Sequence, residues 1–381
     1  MYEEQTDIYC CSERAAFDRV RTALLSVEPV RYIAKGRLAV REKSRRIVWT
    51  IVSLSLVLGV KVQAGEIGHY AGGLVNIRDV IMPPAPGVYA AVYYYYYTTD
   101  QLNNANGDKI SSVNINPGPG PGVTVNVHVD VDIDVIVPIL MWVAPPKILG
   151  AHYGGFIAPS FADSGLDAAL STATGRGVGT STKSLGVGDL FVEPIWLDWS
   201  FTHWDFGIAY GFTAPVGKYN TQTITLPRIG RSVTVESIDN IGYGFWEQQV
   251  QGSMAWYPMA SKATAVVTAL TYNTCGKKED FNLTPGDWLT LNWGISQYLP
   301  LKKDMTVLAE VGVAGYDTWQ ITDDSGSAAK NVRDQVHAIG GQLGITHVPW
   351  NAVLNFHYFY EFAAKDRFQG QVLGLSLAKK F

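Results

Sequence analysis

From Val123 to Val135, the stretch VTVNVHVDVDIDV alternates apolar and polar side chains at every step. Val123, Val125, Val127, Val129, Val131, Ile133 and Val135 fall on one side; Thr124, Asn126, His128, Asp130, Asp132 and Asp134 fall on the other. Successive side chains of a strand point to opposite faces, so the spacing predicts a long β-strand with one apolar and one polar face. Strands in soluble proteins run mostly about 5–6 residues, whereas a strand tilted across a bilayer needs about 9–11. A chain carrying such a strand has to build a large sheet whose two sides meet different media.

The pattern recurs. In HWDFGIAYGF, Trp204, Phe206, Ile208, Tyr210 and Phe212 oppose Asp205, Gly207, Ala209 and Gly211. In GDWLTLNWGISQYLP, Leu289, Leu291, Trp293, Ile295 and Leu299 oppose Thr290, Asn292, Gly294 and Ser296. In AVLNFHYFYEF, Leu354, Phe356, Tyr358, Tyr360 and Phe362 oppose Asn355, His357 and Glu361. Broad aromatic faces set against small or charged ones suit a barrel wall between lipid and a wet lumen. Short Pro-containing connections (APPKIL, YPMASK, LPLKKD, VPWN) suit one rim, and long Gly-rich polar ones such as FADSGLDAALSTATGRGVGTSTKS the other. The Pro-Gly run at 117–122 reads as part of such a loop. The expectation is an all-β fold, a transmembrane antiparallel barrel of about twelve strands, over 87–381. Its strands start near 87, 123, 147, 188, 203, 241, 263, 286, 304, 334, 351 and 370, and ATAVVTALTY shows no clean face.

Five consecutive tyrosines, Tyr93 to Tyr97, fit that wall. Tyr93, Tyr95 and Tyr97 face one way and Tyr94 and Tyr96 the other, and a tyrosine tolerates both a headgroup layer and a wet lumen. Charged residues make up only 17% of the chain, below the roughly 25% of ordinary globular domains.

The longest apolar run, Ile47 to Val60, is too short to cross a bilayer comfortably as a helix. Preceded by Arg41, Lys43, Arg45 and Arg46 and followed by Val62-Gln63-Ala64, it reads as a signal peptide over 41–64, with 1–40 an overextended start. Residues 1–64 hold 11 of the 30 basic and 7 of the 34 acidic side chains, so the rest of the chain carries a net charge of −8, which argues against nucleic acid as a partner. Only Cys275 lies beyond the cut, so no intramolecular disulfide forms there. Residues 65–86 end in prolines that stop the first strand from extending backwards. They either enter the barrel and narrow it or hang beneath it in the periplasm.

Alternation also assigns an inward, pore-lining set: Asn126, His128, Asp130, Asp132, Asp134, Glu247, Gln249, Gln251, Glu310, Asn355, His357 and Glu361. Unless paired with lumen Arg or Lys, its carboxylates favour cations or neutral solutes over anions. Side chains two apart on one strand point in parallel, so His128 to Asp134 make a poor metal site. No catalytic set, cofactor site or metal site is assigned. The C-terminal strand QGQVLGLSLAKKF closes on Phe381, the kind of ending through which periplasmic chaperones and the barrel-assembly machinery recognise such chains.

Several segments occur in an order that is itself informative: GHYAGGLVNIRDVIMPPAPGVY, KILGAHYGGFIAP, GVGDLFVEPIWLDW, GFTAPVGKYN, WYPM, GYDTWQITDDSG and EFAAKDRFQGQVLGLSLAKKF. Over residues 66–381 the chain resembles the outer-membrane channel family named for the meta-pathway of phenol degradation. That resemblance implies a monomeric twelve-stranded barrel in the outer membrane of a Gram-negative bacterium. It also implies passive uptake of small molecules, among them aromatic or hydrophobic growth substrates, with lipid and solute as partners. The alternative expectation keeps the barrel but plugs it, with a structural or a hydrolase or acyltransferase role.

Overall fold

The computed structural model describes residues 68–115, 123–172, 177–226, 231–237, 239–327, 329 and 332–381. The signal-peptide and start assignments at 1–64, and the Pro-Gly run at 117–122, lie outside the described residues.

The strands are β1 (Gly87–Thr99), β2 (Ser112–Ile115), β3 (Val123–Val143), β4 (His152–Thr172), β5 (Gly177–Ser200), β6 (Trp204–Ala214), β7 (Thr221–Leu226) and β8 (Arg231–Glu236). They continue as β9 (Glu247–Trp256), β10 (Thr264–Cys275), β11 (Trp288–Pro300), β12 (Val307–Gln320), β13 (Gln335–His347), β14 (Ala352–Lys365) and β15 (Gln371–Lys380). The pairings between described strands are antiparallel; most join chain neighbours, β6 pairs with β9, and β1 pairs with both β15 and β3. Closure through β1 leaves a barrel of twelve strands: β1, β3 to β6 and β9 to β15. Because every wall strand has a partner on both sides, the backbone polar groups are satisfied without water, as a lipid-embedded wall demands. The short β2 pairs only with the outer end of β3, and β7–β8 form a separate hairpin within the long connection 215–246.

Short connections at 144–151, 201–203, 257–263, 301–306 and 348–351 gather at one end, the periplasmic one in such barrels. The outer belt is apolar. Ile136, Leu140, Ile157, Ile208, Ile295, Val313, Leu343, Leu354, Phe356, Leu375 and Leu377 are all exposed on it. Trp142, Trp204, Trp256 and Trp350 stand exposed near the short turns, where amphipathic rings sit at the membrane interface.

Two expectations change. Residues 161–172 and 177–184, read as part of a loop, are strand: β4 and β5 run 21 and 24 residues and pair down to Ser171↔Gly177. There the two strands consist largely of small and polar residues such as Ser164, Gly165, Asp167, Ser181 and Thr182, so backbone pairing continues with no clean apolar face to betray it. Conversely, β10 lacked a clean face because its inner side, Ala265, Val267 and Ala269, is itself apolar and buried, as part of a core inside the lumen.

Candidate functional site

That inner core exists because residues 68–86 run up the lumen as an irregular segment. Small inward residues give it room. A Cβ on Gly294 would lie 2.8 Å from Ile77, and one on Gly72 would lie 2.6 Å from the Tyr316 ring. Gly73, at φ +77°, takes a left-handed conformation that favours glycine. Ile77 and Val80 pack into a cluster with Val267, Ala269, Ala314, Tyr316, Val336, Ala338, Phe359 and Val372. A cavity of about 20 Å³ remains between the segment and the wall at Val75, Ile77, Val267, Trp293 and Phe359. That volume is about one water.

Polar contacts pin the segment at three levels. Near the outer end, His69 donates its backbone N–H to Glu247 Oε2 (2.9 Å), and its ring nitrogens lie 3.2 Å from Glu247 Oε2 and 2.9 Å from Asp189 Oδ2. Burial alone would lower the His69 pKa, but the hydrogen bonds to Asp189 and Glu247 outweigh it and raise it to about 9. Both ring nitrogens therefore donate at neutral pH. At mid-height Asn76 donates to Ser376 Oγ (2.8 Å), its Oδ1 lies 2.9 Å from His357 Nδ1, and the Ile77 N–H donates to Gln342 Oε1 (2.8 Å). At the inner end Arg78 Nε donates to Glu310 Oε1 and Ser296 Oγ, both at 2.9 Å, and its other nitrogens reach the carbonyls of Lys262 and Ala263. The guanidinium also stands 4.1 Å above the Tyr298 ring.

The expected inward set divides in two. Glu247, Gln249, Glu310, Asn355, His357 and Glu361 are buried inside the barrel, and Gln251, on the same face of β9, accepts from Thr271. Each inner carboxylate has partners: Glu247 has His69 and Asn273, Glu310 has Arg78, and Glu361 accepts from Tyr97, Tyr316 and the Gly370 N–H. They anchor the segment and the wall rather than standing free in water.

Asn126, His128, Asp130, Asp132 and Asp134 do not join them. They share a face with the exposed Ile136, Leu140 and Trp142, while Val125, Val131 and Val137 are buried on the opposite side. The aspartates are thus on the outer wall, where Tyr96 donates to Asp132 (2.8 Å), Tyr94 donates to Asp134, and His128 meets Asp130 at 2.8 Å. At 21 residues β3 outruns the bilayer, so its far half faces water outside and apolar packing inside. Tyr93 and Tyr97, by contrast, point inward to Asp79 and Glu361. His69, Asn76, Arg78 and Asp189 were missing from the expected set, because only tertiary contact brings them together. The inward glycines were the signal that something approaches the wall closely. Among the described residues no group of His, Cys, Asp and Glu has the geometry to hold a metal ion.

Fold and site together define a transmembrane β-barrel of the outer-membrane kind with its lumen filled by its own N-terminal segment. The chain belongs to the family described as MetA-pathway of phenol degradation, whose model matches residues 99–377. Its fold is similar to that of the COG4313 outer membrane channel from Pseudomonas putida F1, at 16% identity and TM-score 0.58, covering 81% of this chain and all of that one. Weaker likenesses include the CymD monoaromatic hydrocarbon channel (12% identity, 86% and 97% covered, TM-score 0.37) and the β domain of the Bordetella autotransporter BrkA (10% identity, 78% and 100% covered, TM-score 0.42). No curated protein matches the sequence.

Proposed function

We propose that this protein is an outer-membrane channel for passive uptake of small hydrophobic molecules, aromatic ones included, held shut at rest by residues 68–86. The observation that carries this reading is the apolar core inside the lumen. A channel for hydrophilic solutes keeps a polar, watery interior. Here Ala265, Val267, Ala269, Ala314, Val336 and Val372 make the wall behind the segment apolar. When the segment shifts, that surface offers an apolar solute a path that a hydrated ion avoids.

The plugged-barrel alternative and the channel reading thereby merge: the plug is the gate. No covalent step is assigned, and passage is driven by the solute gradient alone. The partnered carboxylates of the lumen remove the basis for strong cation selectivity. The barrel works as a monomer, as the family resemblance implies. Phe381, exposed at the end of β15, is where periplasmic assembly factors would read the chain.

The test locks the gate. A disulfide between Ile77→Cys and Gly294→Cys, in a Cys275→Ser background, joins segment to wall where they touch. Toluene entry into proteoliposomes should stop in the oxidised protein and return on reduction. Equal entry in both states would overturn the gate, and no entry through unlocked, folded protein would overturn the channel.

A further inference from the structure

The outer wall carries a pair of ionisable groups where an apolar belt would be expected to continue. On β12 the outward positions run Val311, Val313, Gly315 and then Asp317; on β13 they run Ile345, Leu343, Gly341, Ile339 and then His337. Asp317 and His337 face each other in register, level with Phe362 on β14. Beneath them Val311, Val313, Leu343, Ile345, Leu354 and Phe356 are exposed down to the short turns. The pair therefore stands at the upper edge of the hydrocarbon layer, where the headgroups of the outer leaflet begin.

Its geometry is fixed from three sides. His337 Nδ1 lies 2.6 Å from Asp317 Oδ1, and Trp293 Nε1 donates to Asp317 Oδ2 at 3.0 Å. Trp319 stands edge-on to the imidazole at 5.7 Å, and Phe362 stacks on it at 5.8 Å. A Cβ on Gly315 would lie 2.3 Å from Trp293 Cζ2, so only glycine lets that indole cross the wall to reach the carboxylate. On the next rung above, Gln335 pairs with both Trp319 and Lys365. Both members of the ion pair keep 22% of their side chains exposed to the medium outside. An ionisable group on a lipid-facing wall is costly, and such a group by default marks a functional site.

We infer that Trp293, Asp317, Trp319, His337 and Lys365 form a docking site for lipid A, the phosphorylated glucosamine lipid of the outer leaflet. A carboxylate accepts up to about four hydrogen bonds, and Asp317 spends one on each oxygen, so it has capacity for sugar hydroxyls and amide N–H groups. Because a carboxylate only accepts, Nδ1 of His337 carries the proton and Nε2 is left for the headgroup. As the neutral ring it accepts from a hydroxyl, and as the cation it donates to a phosphate. Lys365 supplies a positive point charge to the phosphate from the rung above. The C–H face of a glucosamine ring packs on the indoles that bracket the carboxylate. A glycerophospholipid fits less well, since its phosphate meets Asp317 with like charge and it brings no flat sugar face. All five side chains are on the outside of the barrel, so the site acts whether or not the lumen opens.

The experiment counts lipids on the folded barrel by native mass spectrometry, titrating lipid A against phosphatidylglycerol in detergent. One lipid A should bind about tenfold more tightly than phosphatidylglycerol, the effect of one charge-assisted contact. Asp317→Leu with His337→Leu replaces both partners by apolar groups that suit the belt. It should bring that ratio close to one while leaving phosphatidylglycerol binding within about twofold. Should the double variant fail to fold, Trp319→Leu leaves the ion pair in place and should lower lipid A affinity alone. Equal affinity for the two lipids in the native barrel overturns the docking site and leaves a plain aromatic girdle. Lipid A affinity unchanged in a folded variant overturns it as well.

Discussion

The outer half of β3 and the middle of β14 carry the same alternation with opposite meanings. On β14 the polar residues Asn355, His357 and Glu361 are buried inside while Phe356, Tyr358 and Tyr360 are exposed to lipid. On β3 the valines turn in and His128, Asp130 and Asp132 turn out. Nothing in the local pattern differs in kind. What differs is height: β14 lies within the hydrocarbon layer, and the far half of β3 stands above it. Period two specifies two faces, and the medium outside decides which one goes out.

The sharpest way to break this contrast is at the inner polar positions that hold the plug. Arg78→Ala leaves Glu310 buried without its cation, which costs about 3–5 kcal/mol when one partner of a buried pair is removed. Here the loss falls on docking of the segment, so single-channel recordings should show a persistently open, larger conductance while heat-modifiable migration still reports a folded barrel.

Next in size are charges on the outer faces. Phe356→Arg puts a cation in the lipid belt and should destabilise the barrel by about 2–4 kcal/mol in urea titrations. Asp132→Arg, at an equally outward position on β3, should change stability by no more than about 0.5 kcal/mol. Equal penalties at the two sites would mean that the far half of β3 is in lipid after all.

Smaller still is the response to pH at the top of the plug. The folded His69 pKa lies near 9, above the unfolded value near 6.5. Its contribution is fully present below pH 6.5 and is lost as pH rises through 9. Open probability should therefore increase between pH 8 and 10, and His69→Gln should flatten that profile. The least effect is expected for Tyr96→Phe, which removes one exposed hydrogen bond to Asp132 on the outer wall. It should cost less than about 0.5 kcal/mol, read from the urea midpoint.

Much of this was legible in the residues. Twelve strands, a barrel wall, one rim of short turns and the inward placement of Glu310, His357 and Glu361 follow from alternation and turn chemistry. The family resemblance agreed with them. The start of β5 was displaced by eleven residues, from 188 to 177, because its first residues are small and polar and give no clean apolar face to mark it.

By itself the sequence determined that the chain makes long two-faced strands and closes them against lipid, since period and composition are local properties summed over many segments. Only the tertiary structure decided that 68–86 rise into the lumen, that Arg78 meets Glu310 across 232 positions, and that a bulge turns Trp196 inward. Contacts between residues so far apart depend on barrel closure and strand register, and one residue of slip or bulge reverses a face.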